Sequence, residues 1–121
     1  MEWDVQLDED FATWLAGLEA DLRNEIIAHA NLLREHGPQL GRPYVDTLEG
    51  SAFRNMKELR VQFHGDPWRI LFAFDPRRTA ILLLGGDKRG RWTRWYEEMI
   101  PLADRLYDDH LEQLRSEGQI S

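Results

Sequence analysis

The sequence predicts an α+β fold: a mostly antiparallel sheet packed on helices, in the order β-α-α-β-β-β-α. Three observations carry this. Apolar residues recur at three- and four-residue spacing through residues 11–33, alternate with polar ones through 59–74, and return to helical spacing between 95 and 114. Helix-like and strand-like stretches are thus segregated along the chain rather than interleaved as in parallel βαβ units. A length of 121 residues suits one domain, spanning 1–121 with the last few residues frayed.

Each element has a local reason. Trp3, Val5 and Leu7 alternate with Glu2, Asp4 and Gln6, the pattern of a short half-buried strand. Asp8 or Asp10 can cap the helix that follows, on which Phe11, Trp14, Leu15 and Leu18 form one apolar stripe. A second helix is predicted from about Ala20 to His36, burying Leu22, Ile26, Ile27, Ala30 and Leu33 and stopped by Gly37-Pro38. Residues 38–52 read as loop, punctuated by Pro43 and Gly50.

Leu59, Val61 and Phe63, then Trp68, Ile70, Phe72 and Phe74, alternate on either side of His64-Gly65-Asp66-Pro67, which predicts a β-hairpin. A turn at 65–66 would pair 63 with 68, 61 with 70 and 59 with 72. A one-residue slip would break every apolar match, so a register of odd sum is expected, with Arg60 and Arg69 on one face and Gln62 between them. After Asp75-Pro76-Arg77-Arg78, the apolar run 79–84 predicts a central strand that ends at a Gly85-Gly86 turn. A last helix is predicted from Trp95, with Pro101 as a kink or a first turn.

Composition excludes several function classes. The chain has no cysteine, so disulfide frameworks, thiolate metal sites and cysteine nucleophiles are out. Its four histidines, at 29, 36, 64 and 110, lack ligand spacing, so no metal is expected. No phosphate-binding loop or dinucleotide fingerprint is present, and no cofactor is expected. An acidic start and the absence of a long apolar run point to a cytoplasmic protein with no membrane partner.

The formal charge of −7 argues at first against nucleic acid. Its distribution argues otherwise. Residues 1–22 hold seven acids and no base, residues 97–121 hold seven acids and two bases, and residues 51–96 carry ten bases against four acids. The basic middle contains Lys57, Arg60, Arg69, Lys88, Arg89, Arg91 and Arg94, interleaved with Trp68, Trp92 and Trp95. Guanidinium and ammonium groups neutralise phosphate, and aromatic rings can stack unpaired bases. Such a set could cleave RNA without a metal, cations stabilising the phosphoryl oxygens while a depressed lysine or His64 moves protons. Alternatively, Arg60 and Arg69 form ordinary ion pairs, for instance with Glu58 or Asp75.

Lys57-Glu58-Leu59-Arg60, Trp68-Arg69-Ile70-Leu71-Phe72-Ala73-Phe74 and Leu82-Leu83-Leu84-Gly85-Gly86-Asp87-Lys88 together resemble the HigB-like, phage-derived branch of the RelE/ParE toxin superfamily. Trp95-Tyr96-Glu97-Glu98 and Ile100-Pro101-Leu102-Ala103-Asp104 extend the resemblance, which covers roughly residues 3–112. The resemblance implies a RelE-like fold and the toxin of a type II toxin–antitoxin pair. Such a toxin cuts mRNA in the ribosomal A site and is neutralised by an antitoxin, often a helix-turn-helix DNA-binding protein. Carried over by position, Arg60, Arg69 and Lys88 become the catalytic cations. Lys57 supports them, Arg89 stands where many members have a second lysine, and Lys57, Arg89, Arg91 and Trp92 are the RNA-binding set. Gly86 stands where members with a Gly-Phe-x-Lys-Lys pattern carry an aromatic residue, with Trp92 as the candidate substitute. Tyr96, Tyr107 and His110 are candidates for the tyrosine or histidine that some relatives use near the C-terminus. The alternatives are a toxin-fold protein that binds without cleaving, and a ParE-like inhibitor of DNA gyrase.

Overall fold

A computed structural model describes residues 2–90 and 92–121, the side chain of Trp92 excepted. The elements are β1 (Asp4–Leu7), α1 (Glu9–Ala16), α2 (Ala20–His36), a 3-10 turn (Gly37–Gln39), β2 (Val45–Thr47), β3 (Met56–Phe63), β4 (Asp66–Phe74), β5 (Thr79–Asp87) and α3 (Trp92–Ser116). The strands form one sheet in the order β1-β5-β4-β3-β2, antiparallel except where β1 runs parallel to β5. The α+β class holds, with β2 added inside the expected loop. Val45 is buried opposite Leu59, and three residues are too few for alternation to be legible.

Local chemistry sets the helix ends. The Asp8 carboxylate accepts a hydrogen bond from the Asp10 amide at 3.0 Å and caps α1. Gly37 ends α2 with φ of +60°, and the ring of Trp3 lies so close that no β-carbon would fit there. Helix α3 starts earlier than expected and runs through Pro101. Near the C-terminus, Arg77 donates to the Gln119 side chain at 3.1 Å.

Helices cover both faces of the sheet. Phe11, Leu15, Leu22, Ile26 and Leu33 from α1 and α2 pack on Leu59, Val61, Ile70, Phe72 and Leu82. On the other face, Trp95, Ile100, Ala103 and Tyr107 of α3 pack on Met56, Leu71, Ala73, Ile81 and Leu83. Ile27, expected inside, is 42% exposed. No helix among the described residues is long and apolar enough to cross a membrane.

Two details of register aim the functional side chains. The β3–β4 hairpin keeps the expected odd-sum parity but turns at His64-Gly65, one residue earlier than expected, so each partner shifts by two and Val61 pairs with Trp68 and Leu59 with Ile70. Both turn residues have positive φ, 51° and 82°, as a two-residue loop matching strand twist requires. Asp66 and Pro67 therefore join β4, and Arg60 lies directly opposite Arg69. The second detail is a bulge in β5. Leu71 pairs with Leu84 but Phe72 pairs with Leu82, leaving Leu83 as the extra residue. Leu83 and Leu84 both pack on the α3 side, and alternation beyond them is reversed. The strand also continues through Gly85 and Gly86 instead of turning there.

Candidate nucleic-acid interface

The bulge decides which cations meet. Without it, the period of two would send Lys88 to the α1 face. With it, Gly85 faces Trp14 of α1, Gly86 faces Trp95 of α3, and Lys88 falls beside Arg60 and Arg69 on the α3 face. Arg60, Arg69 and Lys88, three strands' worth of separate sequence signals, therefore share one site.

Glu58 joins them. It precedes Arg60 by two on β3 and so points the same way. Its Oε2 lies 3.8 Å from the Arg60 Nε and its Oε1 lies 3.8 Å from the Arg69 Nε. Tyr96, in the second turn of α3, donates its hydroxyl to the Glu58 Oε1 at 2.5 Å and accepts from the Lys88 Nζ at 3.1 Å. The Lys88 ammonium also lies 4.9 Å from the Tyr96 ring centroid. The chain of contacts runs from cation to phenol to carboxylate to two guanidiniums.

Burial separates the members sharply. Arg60 is about one-third exposed, whereas Arg69 and Lys88 are 4% and 3% exposed. Arg69 donates through Nη1 to the Trp68 carbonyl at 3.0 Å, but its buried Nε has no hydrogen-bond partner, because Glu58 stands beyond hydrogen-bond range. A buried donor left unpaired costs about 1–3 kcal/mol. An open cleft of about 440 Å³ lies over this pair, lined by Pro43, Arg60, Gln62, Gly65, Pro67 and Arg69. The cleft opens on Arg60, and Arg69 lies buried at its edge with an unspent donor.

The electrostatics favour proton movement at Lys88. Burial, then the positive charge of Arg69, pulls its ammonium down to about 8, with Glu58 opposing. Burial and the hydrogen bond to anionic Glu58 push the Tyr96 phenol up to about 12. One group can release or take a proton near neutral pH while the other stays protonated.

The remaining sequence candidates are placed elsewhere. Lys57 sits between Met56 and Glu58 on β3, so alternation turns it to the face opposite Arg60 and Arg69. Arg89 is 67% exposed and pairs with Asp66 at 3.0 Å and Asp87 at 3.5 Å. Arg91, and the side chain of Trp92, lie outside the described residues. Trp68 packs towards Trp14, and Trp95 is buried against Gly86, so both rings belong to the core. His64 stacks on Phe63 at the hairpin turn. Tyr107 holds Asn55, and His110 holds the buried Asp75 carboxylate at 2.9 Å. Of the three C-terminal candidates, Tyr96 is the one at the site. Glu58 entered the sequence reading as an ion-pair partner and as part of the Lys57–Arg60 motif, but not as a site residue; its place two residues before Arg60 on the same strand face was the available signal.

The Gly-rich end of β5 has a packing role. A β-carbon on Gly86 would stand 2.8 Å from the Trp95 Nε1. The indole occupies the space that an aromatic side chain at residue 86 would need. Among the described residues, no group of three or more His, Asp or Glu could hold a metal ion.

Comparisons with known proteins agree with this architecture. The family model described as "Phage derived protein Gp49-like (DUF891)" matches residues 13–108. The chain is 49% identical over 106 residues to a Mycobacterium tuberculosis protein named as toxin HigB2, covering 87% of this chain and 53% of that protein. It thus spans about half the length of that relative. It is 51% identical over 98 residues to a second protein of that organism named as toxin HigB3, covering 81% of this chain and 84% of that one. Among solved structures, RelE in the archaeal RelE–RelB complex of Pyrococcus horikoshii superposes with a TM-score of 0.55 at 18% identity, over 75% of this chain and 99% of that one. That likeness is one of fold: a sheet in a RelE arrangement flanked by helices. The chain belongs to the phage-derived Gp49-like family, shares sequence with proteins named HigB, and has a RelE-like fold.

Proposed function

We propose that this chain is the toxin of a type II toxin–antitoxin pair and acts as a ribosome-dependent, metal-independent mRNA endonuclease. The observation that carries the reading is the cross-strand pair Arg60 and Arg69 over an open cleft, with Lys88 on the same face. The names of the HigB relatives and the RelE–RelB complex support a toxin with an antitoxin partner.

In this reading the RNA's own 2′-hydroxyl attacks the adjacent phosphorus. The O2′–P bond forms, the P–O5′ bond breaks, and the products end in a 2′,3′-cyclic phosphate and a 5′-hydroxyl. Arg60 and Arg69 stabilise negative charge on the non-bridging oxygens. Neutral Lys88 takes the 2′-hydroxyl proton, and Tyr96 gives one to the departing O5′. Once the products leave, the hydrogen bond from Lys88 to Tyr96, 3.1 Å in the free chain, forms again, returns the proton and restores both groups.

Expression of the chain alone, followed by sequencing of mRNA 5′ ends, tests the reading. Growth and translation should stop, with new 5′ ends appearing only on ribosome-bound messages. The triple variant Arg60→Ala, Arg69→Ala, Lys88→Ala should be harmless, and its full toxicity would sink the assignment. DNA damage and filamentation would instead identify a gyrase inhibitor.

A further inference from the structure

Arg69 and Lys88 are buried in the site that should receive an anion. A phosphate oxygen must come within about 3 Å of a donor to form a hydrogen bond, and groups only 3–4% exposed do not offer that approach. Two side chains stand in the way. Glu58 is itself a buried anion placed between the guanidiniums, and Tyr96 lies on Lys88 while bonded to Glu58. A third feature lets α3 descend this far. With no β-carbon at Gly86, the Trp95 indole settles on the β5 backbone and brings its neighbour Tyr96 over the cations.

We infer that the isolated chain rests in a latched state, in which Glu58 acts as an internal counter-anion and Tyr96 as a cover, together withholding Arg69 and Lys88 from anionic partners. The latch regulates the site assigned under the proposed function, and its value as regulation rests on that reading. A substrate phosphate must displace the carboxylate from the arginines and lift the phenol from the lysine. The unspent Nε donor of Arg69 rewards the exchange, because a phosphate oxygen can accept from it where Glu58 does not. Free toxin is then a weak binder of loose RNA, and the surface that presents the message must also favour the open form.

The chain contains only two lysines, Lys57 and Lys88, so amine reactivity reports on the latch residue by residue. Acylation by N-hydroxysuccinimidyl acetate, followed by mass spectrometry, is the measurement. Reaction needs a neutral amine, so an accessible lysine held near 8 would outpace an ordinary one titrating near 10.4. Slow reaction of Lys88 would therefore report burial rather than protonation, and the variants test whether Tyr96 and Glu58 impose it. Lys88 should react on the order of tenfold more slowly than Lys57 in the intact protein. Tyr96→Ala, which removes the cover, and Glu58→Gln, which removes the anchoring charge, should each bring Lys88 past Lys57 with circular dichroism unchanged.

Lys88 reacting as fast as Lys57 in the unaltered chain would overturn the latch. So would folded variants that both leave Lys88 as slow as before. A second readout separates the latch from the RNA reading. Glu58→Gln should bind a fluorescent 2′-O-methyl RNA hexamer about tenfold more tightly by anisotropy. Faster acylation without tighter RNA binding would support the latch and count against the nuclease assignment alone.

Discussion

Arg60 and Arg69 face each other directly across β3 and β4, and the one carboxylate between them, Glu58, stands 3.8 Å from the Nε of each. Like charges opposed on a sheet repel, so this pairing depends on a nearby anion. The two arginines nevertheless differ in burial, and their substitutions should differ in kind.

Arg69→Ala leaves the buried Glu58 short of its buried partner and should cost about 3 kcal/mol in urea unfolding. Arg60→Ala, at a side chain one-third exposed, should cost less than about 1 kcal/mol. Both should reduce mRNA cleavage by at least about 100-fold if they stabilise the same phosphoryl charge. Equal losses of stability would show that the burial difference is unimportant.

The pH dependence of cleavage reports Lys88. With its ammonium lowered to about 8, the neutral fraction rises through that value, and single-turnover cleavage should rise from pH 6.5 and level off above 8. Lys88→Arg keeps the charge but not the proton exchange and should flatten the profile. Stability follows the same group. Unfolded, the lysine holds its proton to about 10.4, so between pH 8 and that value the unfolded chain binds more protons and stability rises with pH. Lys88→Met should abolish that rise. The raised Tyr96 phenol acts in the opposite sense, its contribution present below pH 10 and lost on the way to 12.

Gly86→Ala should destabilise the chain by about 1–3 kcal/mol, because the added carbon meets a rigid, buried indole rather than a flexible side chain. Gly85→Ala meets Trp14 at 2.7 Å on the opposite face and should cost a similar amount. Only the first moves α3 against the site. Thermal melts check both costs, and cleavage assays should separate the two variants.

Asp75 anchors the far end of the molecule. Its side chain is fully buried, bonded to Arg77 at 2.8 Å and to His110 at 2.9 Å, and it caps the β4–β5 turn. Burial raises its carboxyl, but the hydrogen bonds from Arg77 and His110 prevail and hold it below the usual value. A depressed carboxyl stabilises above its unfolded pKa, and that stability is lost as pH falls through the folded one. Asp75→Asn should therefore lower stability near neutrality by about 3 kcal/mol and make unfolding below pH 4 less steep. Cleavage per folded molecule should not change.

Much of this protein was legible in its sequence. The limits of α2, the cap at Asp8, the parity of the hairpin and the basic middle between acidic ends all follow from residues close together along the chain. Periodicity, capping and charge are local properties, so reading them needs no knowledge of distant neighbours. The resemblance that named Arg60, Arg69 and Lys88 drew on the same kind of short strings.

The tertiary structure decided how those strings meet. Sequence alternation placed the turn at 65–66, and the turn at His64-Gly65 instead put Arg60 opposite Arg69. It could not show the bulge at Leu83, which turns Lys88 to the α3 side. Nor could it show that α3 carries Tyr96 onto a lysine eight residues away while anchoring it to Glu58 thirty-eight residues away. Burial and phase are properties of packing between distant segments. Residue types along a strand therefore name the cations, and only the packed sheet and helix determine which of them share a site and which are covered.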